Sequence, residues 1–298
     1  MKLNNKWILL LALALATACS DTNGSDFEEG NKGNANANDT SKEPALSRME
    51  FPKVKGGNSV VVIHTTNDSY GINYSVEWDV DKKTQRWSCY QLNSALLVKK
   101  TSRASVGYLE DPNLNYPHGD LIRGSGYDHG HMCPSADRLY SELANEQTFY
   151  LTNMQPQSKA FNGSLTGGSA SRNEWSPWYQ LESQVRTWAG SVNTEMLYVV
   201  KGGTIDNENQ YTLNGQLRVP KYFFVALLLK NKEGYKAVGF WMEHKSSYSA
   251  KVSLADCAVN IRKLEELTGI DFFCNLPDET ENKVETLPIE NIKRAWSL

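Results

Sequence analysis

Residues 72–92 read INYSVEWDV-DKKT-QRWSCYQL, and this stretch sets the fold class. Ile72, Tyr74, Val76, Trp78 and Val80 alternate with Asn73, Ser75, Glu77 and Asp79. A period of two predicts a half-buried strand. Asp81-Lys82-Lys83-Thr84 can turn the chain, and residues 87–92 can return as the hairpin partner. Just upstream, residues 59–64 (SVVVIH) form a short apolar run of strand type, and further strands are expected at 196–200, 222–229 and 237–242. Two helical stripes stand among them. Trp178, Leu181, Val185 and Trp188 share one face, with Ser176 to cap and Pro177 suited to the first turn. Leu254, Ala258, Ile261 and Leu264 predict a second helix over 253–268, ended by Gly269. Strands grouped in this way, with helices set apart, predict an α+β fold.

The chain has 298 residues, 40% of them hydrophobic, enough for one large domain or two small ones. A net charge of −3 is neither the strongly basic balance of a general polyanion binder nor strongly acidic, so any phosphate-binding surface must be local. At the N-terminus, Lys2 and Lys6 precede an apolar run over 7–16 that is too short to span a bilayer comfortably, and Ala16-Thr17-Ala18-Cys19 follows. This is the layout of a signal peptide (1–18) ending in a lipobox, which predicts a lipid anchor at Cys19 and an exported protein of the cell envelope, at the outer membrane. Residues 20 to about 45 are rich in Asn, Asp, Gly and Ser and read as a flexible tether, making 19–48 linker and 49–298 the folded domain. Four cysteines remain after Cys19, and Cys257–Cys274 is the favoured pair, since both lie near the C-terminal helix and export permits disulfides.

The densest polar cluster is Tyr127-Asp128-His129-Gly130-His131-Met132-Cys133-Pro134-Ser135-Ala136-Asp137-Arg138. Histidine is the natural general base near neutral pH. By spacing alone the cluster is open to three readings. It can be an HxH zinc pair, since residues two apart share a strand face. It can be one catalytic base held by its neighbours, or a polar turn with exposed histidines. Downstream, Asn153-Met154-Gln155-Pro156-Gln157 and Phe161-Asn162-Gly163 carry neutral amide oxygens, which suit a hard cation such as Mg²⁺. His64, His118 and His244 read as structural.

Taken together these segments resemble the DNA/RNA non-specific endonucleases, the endonuclease G-like group with a ββα-metal (His-Me finger) active site. Their signature is D-R-G-H followed by a proline, then N-x-x-P-Q, then F/L-N-x-G, then W-x-x-L-E. Here the order is Asp128-His129-Gly130-His131 with Pro134, Asn153 to Gln157, Phe161-Asn162, and Trp178-Tyr179-Gln180-Leu181-Glu182. Thr101-Ser102-Arg103 and Asp111-Pro112 are similar to the family's arginine segment. The resemblance implies a central antiparallel sheet flanked by helices and carrying the ββα-metal motif. It implies His131 as general base and Asn162 as the protein ligand of one Mg²⁺, with Mn²⁺ or Ca²⁺ as substitutes. Glu182 would orient water around that cation, and Arg103 and Asn153 would support the phosphate and the transition state. The implied substrates are DNA and RNA, cut to 5′-phosphates through contacts that carry no base information. Two departures stand out. His129 replaces the family arginine, which also admits a catalytically weakened nucleic-acid-binding protein. Residues 165–177 look inserted between Asn162 and Trp178, so that Asn173 or Glu174 becomes an alternative ligand.

Overall fold

The computed structural model describes residues 33–69, 71–163 and 176–298. The signal peptide, Cys19, Asn173 and Glu174 lie outside them. In chain order the strands are β1 (Ser59–Thr65), β2 (Ile72–Asp79), β3 (Thr84–Leu92), β4 (Asp128–His131), β5 (Met154–Gln157), β6 (Met196–Gly203), β7 (Gln210–Leu213), β8 (Leu217–Pro220), β9 (Tyr222–Asn231), β10 (Gly234–Glu243) and β11 (Ala258–Val259). The helices are α1 (Glu142–Gln147), α2 (Lys159–Asn162), α3 (Pro177–Ala189), α4 (Leu254–Cys257), α5 (Ile261–Thr268), α6 (Asp278–Glu285) and α7 (Ile289–Trp296). Seven strands form one antiparallel sheet in the order β1-β2-β3-β6-β9-β10-β11, while β4-β5 and β7-β8 are separate ribbons.

The hairpin of residues 72–92 pairs as expected, Ser75 opposite Cys89 and Glu77 opposite Trp87, around a turn in which Asp79 Oδ1 accepts from the Lys82 amide at 3.0 Å. The expected half-burial does not hold. Every residue of β2 after Ile72 is buried, the polar set included. Both faces of the sheet are covered. Along β9, Phe223, Val225, Leu227 and Leu229 face one core with Trp178, Leu181 and Val185 of α3. Phe224, Ala226 and Leu228 face the other, with Ile261 and Leu264 of α5, Phe272 from the segment after it, and Val284 of α6. Three of the four polar residues of β2 are paired, Ser75 being the exception. Asn73 donates to the Ala144 carbonyl (2.9 Å) and to Gln147 Oε1 (2.8 Å), Glu77 accepts from the Lys55 amide (2.9 Å), and Asp79 meets Arg86.

Helix α3 begins as its sequence dictates, with the Ser176 hydroxyl accepting from the Tyr179 amide (3.0 Å) and Pro177 in the first turn. The helix predicted over 253–268 is broken. Ala258 and Val259 pair with Phe240 and Gly239 at the edge of the sheet, and Asn260 then caps a new helix by accepting from the Lys263 amide (2.8 Å). Pairing the exposed edge of β10 outweighs two residues of helix propensity. Gly269 ends α5 at φ +69°, as expected.

The folded part starts before residue 49. Asn34, Asn36 and Asn38 form a strap against the second core face. Asn34 donates to the carbonyls of Cys274 (2.7 Å) and Leu276 (2.6 Å), and Asn38 donates to the Pro52 carbonyl at 3.0 Å. Composition reads this segment as solvated, but asparagines two apart on an extended chain present one row of amides. The favoured Cys257–Cys274 disulfide is absent: Cys89, Cys133, Cys257 and Cys274 are free thiols. Cys274 is instead buried beside Asn38, whose amide approaches its sulfur at 3.4 Å. Among the described residues no helix is long and apolar enough to cross a membrane.

Candidate active site

Strands β4 and β5 pair antiparallel, His131 opposite Met154 and Asp128 opposite Gln157, and the chain passes through Ser158 directly into α2. This ββα unit is the scaffold of the site. Gly130 is required there, because a Cβ would lie 2.3 Å from the Gln157 side chain. Gln155 docks the ribbon on the central sheet, accepting from the Gly203 amide (2.6 Å) and donating to the Gln85 carbonyl (3.1 Å). The Ser158 hydroxyl caps α2, Gly163 ends it at φ +77°, and the Asn162 amide nitrogen donates to Asp128 Oδ2 at 3.1 Å. The last residue of the helix is thus tied to the first of the ribbon.

Arg103, His131, Asn162 and Glu182 line one cleft, together with Asp128, His129, Tyr108, Tyr127 and Ser135. The insertion at residues 165–177 does not carry Asn162 away from Glu182, and both line the cleft. Ser176 donates its hydroxyl to the Phe161 carbonyl, so the chain returns beside the point it left. Gly163 lies so close to α3 that a Cβ there would be 2.8 Å from Tyr179 Cβ.

Asn153 is not in the cleft. It is fully buried and clamps the chain just beyond His131, accepting from the Cys133 amide (2.8 Å) and donating to the carbonyls of Cys133 (2.8 Å) and Thr148 (2.9 Å). Its geometry is that of a positioning residue with no path to phosphate. The imidazole of His131 sits edge-on to Phe149 at 5.3 Å, and the guanidinium of Arg103 lies over the same ring at 4.7 Å. Glu182 meets Lys201 Nζ at 3.7 Å, and Lys201 is 1% exposed between Trp178 and Tyr90.

His129 is occupied elsewhere. Its Nε2 lies 2.8 Å from Asp120 Oδ1 and its ring stacks on Tyr108, with centroids 3.7 Å apart and planes 10° apart. Burial pushes the Asp120 carboxyl up, but the hydrogen bonds from His129 and from the Arg123 amide outweigh it and hold the group below the ordinary carboxylate range. Among the described residues no grouping of three metal-ligating side chains includes His129 or His131, so the zinc reading finds no third ligand. Burial pushes the Cys133 thiol up to about 12, which leaves it protonated and unsuited to metal or nucleophilic work near neutrality. The cleft's other donors are oxygens. Asn162 has its nitrogen on Asp128, and the carboxylates of Asp128 and Glu182 share the cleft, a set that fits a hard cation.

Sequence reasoning missed Tyr108, Asp120 and Lys201, which carry no local pattern. It missed the role of Asp128 although the residue lay within the quoted motif. His64 is structural as expected, and is held at 2.7 Å by buried Asp111, which also takes the hydroxyl of Thr152.

Comparison with known proteins agrees with this geometry. The chain is 27% identical over 228 residues to a nuclease of Nostoc, covering 72% of this chain and 75% of that one. It is 25% identical to the mitochondrial nuclease EXOG of Xenopus laevis, covering 69% of this chain and 58% of that protein, so the chain spans little more than half of some relatives. A chain from the crystal structure of the EndoG/EndoGI complex shares the fold, with a TM-score of 0.58 at 18% identity over 74% of this chain and 89% of that one. The family model for DNA/RNA non-specific endonucleases matches residues 57–279. The ribbon, the helix and the cleft between them all fall within that match, and the chain belongs to the DNA/RNA non-specific endonuclease family.

Proposed function

We propose that the protein is a divalent-cation-dependent endonuclease that hydrolyses phosphodiester bonds of DNA and RNA without reading sequence and leaves 5′-phosphates. The observation that carries this is the convergence of Arg103, His131, Asn162 and Glu182 on one cleft. A phosphodiester is an anion and repels nucleophiles. The imidazole of His131 accepts a proton from water, the water oxygen bonds to phosphorus, and the bond to the 3′ oxygen breaks, that oxygen taking a proton from a second water molecule and leaving as the 3′-hydroxyl. A hard cation, Mg²⁺ with Mn²⁺ as a substitute, supplies positive charge to the phosphoryl and leaving oxygens when bound. The Asn162 amide oxygen would hold it, its nitrogen being fixed by Asp128. The Glu182 carboxylate, braced by buried Lys201, accepts hydrogen bonds from water in the cleft and orients it. Arg103 pairs with phosphate oxygens. Asn153 acts through the backbone by fixing where β4 ends.

The purified protein is expected to cleave plasmid and RNA, and EDTA is expected to abolish the cleavage. His131→Ala lowers the rate by ~10²–10⁴-fold, the usual loss for a general base. Cleavage indifferent to EDTA, or an undiminished rate in the variant, overturns the mechanism. Salt-dependent nucleic-acid binding without turnover would favour the weakened-binder reading that His129 motivates. The protein is further proposed to be exported and lipidated at Cys19, which joins it to the cell envelope at the outer membrane. Lipid label incorporated into the wild type and lost in Cys19→Ser supports the anchor; label retained in that variant refutes it.

A further inference from the structure

On the far face of the sheet from the cleft, carboxylates gather where α5, α6 and the asparagine strap meet. One oxygen from each of Glu265, Asp271 and Glu285 lies within 4.8 Å of the others. Two oxygens each about 2.4 Å from one Ca²⁺ can be at most about 4.8 Å apart, a bound that all three pairs meet. A second observation is independent of that spacing. Glu285 is 1% exposed, its Oε2 accepts from Arg262 (2.8 Å), and its Oε1 is buried with no hydrogen-bond partner. A buried carboxylate oxygen without a donor is costly and marks a place for a ligand.

The groups facing the cluster do not neutralise it. Arg262, half exposed, spans Glu265 Oε2 (3.0 Å) and Glu285. The Phe272 amide donates to Glu265 Oε1 (3.0 Å). Asn36, from the strap, donates one amide nitrogen to both Asp271 Oδ2 (3.0 Å) and Glu281 Oε1 (3.0 Å) and brings no charge. Lys53 acts on Asp271 from a distance while its own ammonium donates to the Ala37 carbonyl (2.6 Å). One guanidinium thus sits among four carboxylates, counting Glu281.

We propose that Glu265, Asp271 and Glu285 form a second site, for a hard divalent cation of the size of Ca²⁺, and that filling it pins the 34–38 strap to the body through Asn36. Ca²⁺ suits the site better than Mg²⁺, because it accepts several carboxylates directly and tolerates irregular geometry, whereas Mg²⁺ gives up its water reluctantly.

Equilibrium dialysis of the full chain against Ca²⁺, at mildly alkaline pH with Mg²⁺ in large excess, tests this. The expected result is about one Ca²⁺ retained per chain and a thermal midpoint raised on the order of 5 °C. Both effects persist in Asn162→Ala and vanish in Glu285→Gln, and Ca²⁺ slows proteolysis within residues 33–48. Asp271→Asn, at a half-buried position, gives the same readout should Glu285→Gln not fold. No Ca²⁺ retained by the wild type, an undiminished response in Glu285→Gln or Asp271→Asn, or a response lost in Asn162→Ala overturns the site. Unchanged proteolysis despite bound Ca²⁺ overturns its link to the strap.

Discussion

At the scale of single residues, the two candidates for phosphate support part company. Arg103 is exposed at the cleft, whereas Asn153 is sealed behind it with three hydrogen bonds to backbone. Each neutralised phosphate contributes a slope of roughly 0.7–0.9 to the dependence of log affinity on log salt. Arg103→Ala is therefore expected to reduce that slope by about one contact. Asn153→Ala should leave the slope unchanged while lowering the unfolding free energy by roughly 2–4 kcal/mol, because buried backbone groups lose their partner. Salt titrations of binding and denaturant melts of the two variants check this, and a reduced slope in Asn153→Ala would return it to the phosphate. Type alone could not separate these residues in the sequence: an asparagine beside a catalytic strand suits a ligand or a clamp equally well. His131, Asn162 and Glu182 were legible because ordered motifs placed them. The His129–Asp120–Tyr108 group was not, since Asp120 and Tyr108 precede His129 by 9 and 21 positions and meet it only through the fold.

Among elements, α2 depends on a histidine that touches no substrate. His244 Nε2 accepts from the Ser158 amide (2.7 Å) and its Nδ1 donates to the Pro220 carbonyl (2.7 Å), which fixes the neutral tautomer at the start of the helix that ends in Asn162. Burial lowers its pKa, against a smaller upward pull from the Pro220 carbonyl. The unfolded chain therefore takes up this proton first, at about pH 6.5. The stabilisation from neutral His244 is complete above that pH and is lost as pH falls toward the lower folded value. Stability measured by denaturant from neutral to mildly acidic pH should fall less steeply in His244→Gln than in the wild type; equal slopes would refute the assignment. Elements whose period lies within one segment, such as β2, β3 and α3, could be read from the chain. The break at Ala258–Val259 could not, because what decides it is the open edge of β10, a partner remote in sequence. The full burial of β2 was equally hidden, since its own alternation says nothing of a second helical layer across the sheet.

For the whole molecule, the two cores and the strap define how far the domain extends. A chain beginning at residue 49 loses the bonds of Asn34, Asn36 and Asn38 and uncovers the region around Cys274 and Asn275. Compared with a chain beginning at residue 33, it should melt on the order of 5 °C lower, the effect of ~2 kcal/mol on a domain of this size. Calorimetry of the two truncations decides it, and equal midpoints would return residues 33–48 to the tether. Composition hid this boundary because it counts asparagines without recording that they alternate.

The strap lies against the core face of Phe272 and Leu276, while α3 and the ββα unit lie against the opposite face. Whatever precedes Gly33 therefore joins the domain behind the cleft, and a polymer lying along the mouth need not cross that junction.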